Sequence, residues 1–154
     1  MLTHPDECFQ IKSIYVINAA ALSKPHATEQ LSVDLRNYNI DIAAITETHF
    51  KVKHSDSIVA IPDYTLLRRD RATRRGGGVA VYVRTSLKAE IWHYSSDNSV
   101  FELMWVTIGD LFVGVAYQPP KPSYDLESFL DYIEATVDET SRVSYFRNCH
   151  GGRL

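Results

Sequence analysis

Apolar and polar residues follow one another along the chain in a pattern that predicts strands and helices in turn. Residues 42–45 form an unbroken apolar run, which is typical of a strand buried on both faces of a parallel sheet. Just before it, Leu31, Leu35 and Tyr38 recur at helical spacing and predict an amphipathic helix over roughly residues 28–38. Residues 11–18 predict an earlier strand. Together these elements form a βαβ unit.

The middle of the chain predicts further short strands. Tyr64–Arg69 and Val79–Arg84 flank an arginine-rich loop that ends in three glycines. Residues 100–108 and Leu111–Tyr117 are two apolar runs separated only by Gly109-Asp110. Because a Gly-Asp pair between apolar runs is a two-residue turn signal, they predict a hairpin.

The last predicted element is a helix that begins after Asp125, which can act as its N-cap. Apolar residues at spacings of three and four continue this pattern until about Thr140. The patterned region therefore predicts a single domain over residues 11–140. Residues 1–10 and 141–154 carry no clear periodicity and are predicted to be irregular tails.

Composition narrows the class of protein without identifying a function. The chain has 154 residues, of which 45% are hydrophobic and 23% are charged, as expected for one globular domain with a real core. No apolar run approaches the roughly 20 residues that a membrane span needs, so no membrane interaction is predicted. Cys8 and Cys149 lie near opposite ends, which favours free thiols in a reducing, intracellular compartment.

Charge is concentrated in one loop. The net charge of −3 gives no argument for nucleic acid, but five arginines fall within eight residues: Arg68, Arg69, Arg71, Arg74 and Arg75. They could follow a DNA backbone, since each phosphate contact adds sequence-independent affinity. The alternative is a solvated loop whose charge Asp70 partly offsets.

Three residues at predicted strand ends are candidates for chemistry. Glu47 follows the buried strand almost directly, and ligand sites in open α/β sheets lie at the carboxyl ends of strands. Asn18 ends the first strand and Tyr117 ends the hairpin. From residue type alone, a solvated acid at Glu47 and a turn asparagine at Asn18 are the favoured interpretations, and a core tyrosine at Tyr117 is at least as good as a functional one. His49 and His54 follow Glu47, but no cysteine or third histidine stands at zinc-ligand spacing.

Five segments in register, all within residues 14–120, make the chain similar to a known family. In order they are Ile17-Asn18-Ala19, Ile45-Thr46-Glu47-Thr48, the block from Ile61-Pro62-Asp63-Tyr64-Thr65 to Arg71, Gly76-Gly77-Gly78-Val79-Ala80-Val81, and Gly114-Val115-Ala116-Tyr117-Gln118-Pro119-Pro120. Together they resemble the endonuclease/exonuclease/phosphatase superfamily, and in particular the endonuclease domain of jockey-like non-LTR retrotransposons. Each motif alone is weak, and the specificity comes from their common order.

The resemblance implies a fold and an activity. The expected fold is an α/β, incomplete four-layer sandwich of the deoxyribonuclease and abasic-endonuclease kind, with mixed sheets face to face and helices outside. The expected activity is Mg²⁺-dependent hydrolysis of phosphodiesters in DNA, with Mn²⁺ as an alternative ion, in the nucleus. Glu47 would be the metal ligand and Asn18 would orient metal and phosphate. Tyr117 would donate a hydrogen bond beside the scissile phosphate.

The resemblance stops before two later family segments. A Gly-Asp-Phe-Asn segment and a Ser-Asp-His segment, which would carry the general base, do not occur, and Ala20 stands where the retrotransposon group often has arginine. Loss of a general base alone costs about 10²–10⁴-fold in rate, so weak or no hydrolysis is expected. The alternatives are a non-catalytic binding fragment or relic, and a phosphoesterase acting on another substrate.

The missing segments also carry an expectation about packing. In the family, the second part of the domain supplies most of the second sheet. We therefore expect the inner face of the first sheet to be an exposed apolar patch, of the kind that marks interfaces. Self-association, or a complementing second chain, would cover it.

Overall fold

The computed structural model describes residues 10–96 and 99–150, excluding the side chains of Tyr94 and of residues 143–150. Its first sheet contains β1 (Ile14–Asn18), β2 (Ile42–Thr46), β3 (Tyr64–Arg69) and β4 (Val79–Arg84), in the order β1-β2-β4-β3. The helix α1 (Ala27–Asn37) connects β1 to β2, which are parallel, whereas β4 is antiparallel to both of its neighbours. The sheet is therefore mixed, and the predicted βαβ unit is present.

The second sheet is antiparallel and contains β5 (Glu90–Tyr94), β6 (Glu102–Ile108) and β7 (Leu111–Tyr117). Ile108 pairs with Leu111, so Gly109 and Asp110 form the two-residue turn that the sequence predicts. Gly109 adopts φ +58°, a conformation that glycine takes without steric cost. No strand was predicted at β5, whose five residues mix charged, apolar and aromatic side chains without clear alternation.

The two sheets pack face to face around one apolar cluster. Its members come from both sheets and include Ile42, Val79, Val81 and Val83 on the first and Met104, Val106, Val115 and Tyr117 on the second. On the outer side of the first sheet, Leu31 and Leu35 of α1 pack against Ile45 and Tyr82. Burial of these side chains, at about 25 cal/mol per Å² of apolar surface, drives the layers together.

The long helix α3 (Leu126–His150) covers the outer side of the second sheet. Trp105 donates its Nε1 hydrogen to Thr136 Oγ1 over 2.9 Å, and the rings of Phe101 and Tyr132 stack with centroids 4.7 Å apart. Helix, sheet, sheet and helix make four layers. The predicted α/β four-layer sandwich is confirmed.

One packing expectation was wrong. The inner face of β2 and β4 is not bare, because β6 and β7 follow in the same chain and supply a partner sheet. Within the described residues, the inner face of the first sheet keeps exposed apolar side chains at the edge strand β1. Ile14 and Val16 pair in register with Ile42 and Ala44, which face the second sheet. Ile14 itself is 53% exposed and Val16 is 76% exposed.

The predicted end of the last helix was also wrong. Asp125 caps α3 as expected, since its Oδ1 accepts a hydrogen bond from Ser128 N over 2.8 Å. That bond lowers the pKa of the Asp125 carboxyl. The helix continues to His150 instead of fading near Thr140, so residues 141–150 are not an irregular tail. Apolar periodicity ends earlier, but no helix-breaking glycine occurs before Gly151.

Short elements complete the described chain. They are the single-turn helix α2 (Asp56–Val59) and a 3₁₀ turn at Thr85–Leu87. Among the described residues, no helix combines the length and the apolar character that a membrane crossing requires. Residues 1–9, with Cys8, and residues 151–154 lie outside the described part, so the predicted tails there are untested.

Candidate active site

Parallel pairing places two of the predicted residues at the same edge of the first sheet. Asn18 is the register partner of Thr46, the residue just before Glu47. Backbone bonds continue this pairing beyond the strands, with Ala19 N donating to Thr46 O over 3.0 Å and Ala21 N to Glu47 O over 2.9 Å. Parallel strands end at a common edge, which explains why residues far apart in sequence become neighbours.

Tyr117 reaches this edge from the other sheet. Its hydroxyl donates a hydrogen bond to Glu47 Oε1, across 70 residues of sequence. The side chain is buried, and burial raises the pKa of the Tyr117 phenol to about 12, with the hydrogen bond and charge of Glu47 adding to the effect. The phenol therefore keeps its proton at neutral pH and is available as a donor.

Asn18 lies at the same edge but makes a different contact. Its Oδ1 accepts a hydrogen bond from Ala20 N over 3.1 Å, so the amide shapes the turn that follows β1. The residue is exposed to solvent. The structure thus brings Glu47 and Tyr117 into direct contact and places Asn18 on the adjacent strand end.

The backbone around this edge is strained. Ala20, Ala21, Glu47 and His49 all have positive φ, between 45° and 87°. For residues other than glycine the left-handed region is uncommon, and such conformations concentrate at functional sites. Nothing in these residue types signals a left-handed backbone, so sequence reasoning missed this feature.

The glycine turn at 76–78 packs directly behind Glu47. His49 N donates to Gly77 O over 2.9 Å and Thr48 N to Gly78 O over 3.3 Å. A Cβ on Gly78 would lie 2.6 Å from Thr48 Oγ1, and one on Gly77 would lie 2.3 Å from Arg71 Nε. The glycines are therefore needed for close approach.

A second carboxylate, Glu102, organises the arginine loop and was missed from the sequence. It is only 3% exposed. Oε1 accepts a hydrogen bond from Gly78 N over 2.7 Å, and Oε2 accepts from Arg71 Nε over 3.2 Å and from Arg71 Nη2. Arg69 Nη1 lies 3.6 Å away. We call Glu102, Arg69 and Arg71 the Glu102 cluster.

The five predicted arginines do not form one surface. Arg69 is buried, and its Nε and Nη2 also donate to the carbonyl oxygens of Ser95 and Ser96 over 3.0 and 2.8 Å. Arg68 lies between Asp70 and Asp56, with N–O distances of 3.2 and 3.4 Å. These contacts stabilise the fold. Arginines that served only to bind a DNA backbone at the surface would not need them.

Arg74 and Arg75 differ from the other arginines because their side chains are exposed. Their backbone carbonyls hold the loop in place, since Arg74 O accepts from Lys51 Nζ over 2.7 Å and Arg75 O from Arg71 Nη1 over 3.1 Å. Of the five, these two present their charge to solvent.

The donor set suits a hard cation held together with a substrate. Among the described residues no group of three or more His, Cys, Asp or Glu side chains converges, so the chain offers no all-protein metal cage there. Mg²⁺ is usually bound by one or two carboxylates together with waters and substrate phosphates. Glu47, supported by the Asn18 amide on the neighbouring strand end, fits that pattern.

Comparisons with known proteins identify the family and the fold. A family model described as the endonuclease/exonuclease/phosphatase family matches residues 9–143. No curated protein matches the sequence significantly. The crystal structure of AP endonuclease LMAP from Leishmania major is similar in fold, with a TM-score of 0.51 at 16% sequence identity. The match covers 85% of this chain and 46% of that chain, so this chain spans about half the length of the endonuclease.

Proposed function

The chain belongs to the endonuclease/exonuclease/phosphatase family, and we propose that it binds a divalent metal and a DNA phosphodiester at the Glu47–Tyr117 edge. One observation carries this proposal. The Tyr117 hydroxyl contacts Glu47 Oε1 although the two residues belong to different sheets and lie 70 residues apart. A carboxylate and a neutral phenol at one strained sheet edge offer a cation ligand and a hydrogen-bond donor to the same phosphate.

Each residue has a distinct role in the proposal. Glu47 holds the metal, Mg²⁺ or alternatively Mn²⁺, with Asn18 orienting it. When bound, such an ion neutralises charge on phosphoryl oxygens and activates water. With Glu47 turned to the metal, the single O–H of Tyr117 leaves Glu47 Oε1 and donates to a phosphate oxygen, and its raised pKa keeps it protonated. Burial of its ring in the sheet core fixes the direction of that donor.

DNA is the proposed substrate on three grounds. The similar solved structure is named as an AP endonuclease, the exposed Arg74 and Arg75 follow β3 in a loop that reaches the site through Gly77, and the motifs resemble retrotransposon endonucleases. We propose the same origin for this chain, and nuclear action. A phosphoesterase on other substrates is the second possibility, since family membership does not fix substrate.

Turnover by this polypeptide is proposed to be weak. No Gly-Asp-Phe-Asn or Ser-Asp-His segment occurs in the sequence, and a general base is typically worth about 10²–10⁴-fold in rate. Metal and phosphate binding need only Glu47, Asn18 and Tyr117, so the chain retains a binding role where catalysis is slow. If turnover is absent altogether, the chain is a non-catalytic binding fragment or a relic.

The test separates binding from cleavage. We expect calorimetric titration with Mg²⁺ to show binding by the wild-type chain. Glu47→Gln should abolish this binding, and Glu127→Gln, an exposed control on α3, should leave it unchanged. Nicking of supercoiled plasmid should be at least about 100-fold slower than with a family member carrying both later segments. Unchanged Mg²⁺ binding by Glu47→Gln would contradict the site, and full-rate nicking would contradict the missing base.

We also propose that a further polypeptide segment covers β1, either as a complementing chain or as a second copy. Ile14 and Val16 are exposed on the face that β7 covers at the neighbouring strand β2, and among the described residues β7 is an edge strand of its sheet. A strand added to β7 would lie over them.

Sedimentation velocity should show concentration-dependent association that Val16→Lys weakens. A monomer at every concentration would exclude the second copy, and failure to bind the later half of a family domain would exclude the complementing chain.

A further inference from the structure

A small cavity beside the Glu102 cluster is not used by the proposed metal site. Its volume is about 120 Å³, and its lining includes Arg69, Arg71, Arg74, Glu102, Lys121 and Tyr124. These residues come from the arginine loop, the start of β6 and the segment that follows β7. We propose that this cavity is a phosphate-binding subsite. The inference rests on the proposed function, and it adds a second phosphate position to it.

Charge favours an anion in this cavity. Four cationic side chains line it against one carboxylate. Both oxygens of that carboxylate already accept hydrogen bonds, from Gly78 N and Arg71. Arg74 and Lys121 are exposed, so their charges face solvent at the rim of the cavity. Guanidinium groups with fixed geometry are the preferred partners of phosphate oxygens.

Tyr124 supplies an independent observation. Its hydroxyl is buried and has no hydrogen-bond partner within the described part of the chain. The ring is fixed by packing against Phe101 and Phe129, with centroids 4.8 and 5.4 Å apart. Burial raises the pKa of the Tyr124 phenol, so it remains a donor at neutral pH. An unpaired buried donor is unfavourable, and a phosphate oxygen would satisfy it.

The cavity is large enough for a phosphate group. Its volume of about 120 Å³ is well above the roughly 10–15 Å³ that one water needs. Its polar lining comes from three chain segments, so an anion there would be contacted from more than one side.

The cavity adjoins the proposed active site through Arg71. The centre of its guanidinium lies 6.0 Å from the centroid of the Tyr117 ring. A phosphate held here would therefore flank one held at Glu47, as neighbouring phosphates do along a nucleic acid backbone. The same chemistry would also hold free inorganic phosphate, and the experiment below distinguishes these two sources.

The first arm uses inorganic phosphate without Mg²⁺. At matched ionic strength, phosphate should raise the Tm of the wild-type chain more than that of Lys121→Gln or Tyr124→Phe, because its general stabilising effect by exclusion from the surface is the same in all three. Lys121→Gln and Tyr124→Phe should each weaken phosphate binding by about tenfold, the loss of one charge-assisted hydrogen bond. Lys12→Gln is the matched control, because Lys12 is exposed before β1 at the opposite edge of the first sheet. Equal Tm increases in wild type, Lys121→Gln and Tyr124→Phe, or unchanged binding in both of these variants, would overturn the subsite.

The second arm uses a DNA duplex in a salt titration, again without Mg²⁺. If the phosphate belongs to a backbone, Lys121→Gln should lower the slope of log affinity against log salt by about 0.9, and Lys12→Gln should not. Phosphate binding with an unchanged slope would overturn the backbone assignment. Glu47→Gln should leave both arms intact, so failure of this subsite and failure of the metal site give different results.

Discussion

Two glutamates lie beside the same glycine turn, residues 76–78, but their carboxylates have different hydrogen-bond partners. Glu102 is buried, and its oxygens accept from Gly78 N and from Arg71, with Arg69 close by. Glu47 is only partly buried, and the contact recorded for its carboxylate in the described part of the chain is the Tyr117 hydroxyl. One carboxylate has its charge compensated by protein, whereas the other keeps capacity for a ligand.

The difference shows how the fold separates stability from chemistry. A buried charge must be paired, because its desolvation is too costly otherwise. The Glu102 cluster meets this requirement with two arginines, and it thereby fixes the glycine turn that packs behind Glu47. Glu47 itself sits on a left-handed backbone, φ 53°, where strain is tolerated because the neighbouring structure is rigid.

The largest effect is expected from Glu102→Ala. Removing this carboxylate leaves the buried Arg69 and the half-buried Arg71 without their anion, which should lower the free energy of unfolding by about 3–5 kcal/mol. Urea denaturation measures it. Glu90→Ala, an exposed glutamate on β5 of the same sheet, should change stability by less than about 0.5 kcal/mol.

The comparison would be broken if Glu47→Ala destabilised the chain as much as Glu102→Ala. We expect a cost of about 1.5–3 kcal/mol at Glu47, from one lost hydrogen bond to a charged group. A larger cost would mean that Glu47 is also a structural carboxylate, and the argument for a free metal ligand would fail.

The sequence predicted the regular elements better than the contacts between them. Periodicity placed β2, α1, the hairpin and the start of α3, because each has a long or well-punctuated pattern. The pairing of Glu47 with Tyr117 came only from resemblance to a family, since no local signal links residues 70 apart. Glu102 could have been noticed as a lone acid opening an apolar strand, but its partners lie 24 to 33 residues earlier and depend on the fold.

The same limit explains the arginines. Five of them in one loop look alike in sequence, yet Arg69 and Arg71 turn inward to Glu102, Arg68 pairs with Asp56 and Asp70, and two side chains remain exposed. Which arginine turns inward depends on a carboxylate from another sheet. Local pattern cannot supply that information.

An effect smaller than that of Glu102→Ala should appear in alkaline solution, and it depends in part on Glu47. The pKa of Tyr117 rises from 10.0 to about 12 on folding, chiefly through burial and then through Glu47. Below pH 10 both states are protonated and this contribution to stability is fully present. As pH rises toward 12, the unfolded chain loses the proton first, so up to about 2–3 kcal/mol is lost progressively.

Urea denaturation below pH 10 and at about pH 11 measures this loss. Tyr117→Phe should make the alkaline loss smaller, although other tyrosines with raised pKa, such as Tyr82 and Tyr132, preserve part of it. Glu47→Gln should reduce it less than Tyr117→Phe does, because burial, the larger cause, remains when the carboxylate charge is removed. Identical alkaline losses in wild type and Glu47→Gln would mean that the carboxylate does not affect the pKa of the phenol. The contact with Tyr117 would then not distinguish Glu47 from Glu102 electrostatically.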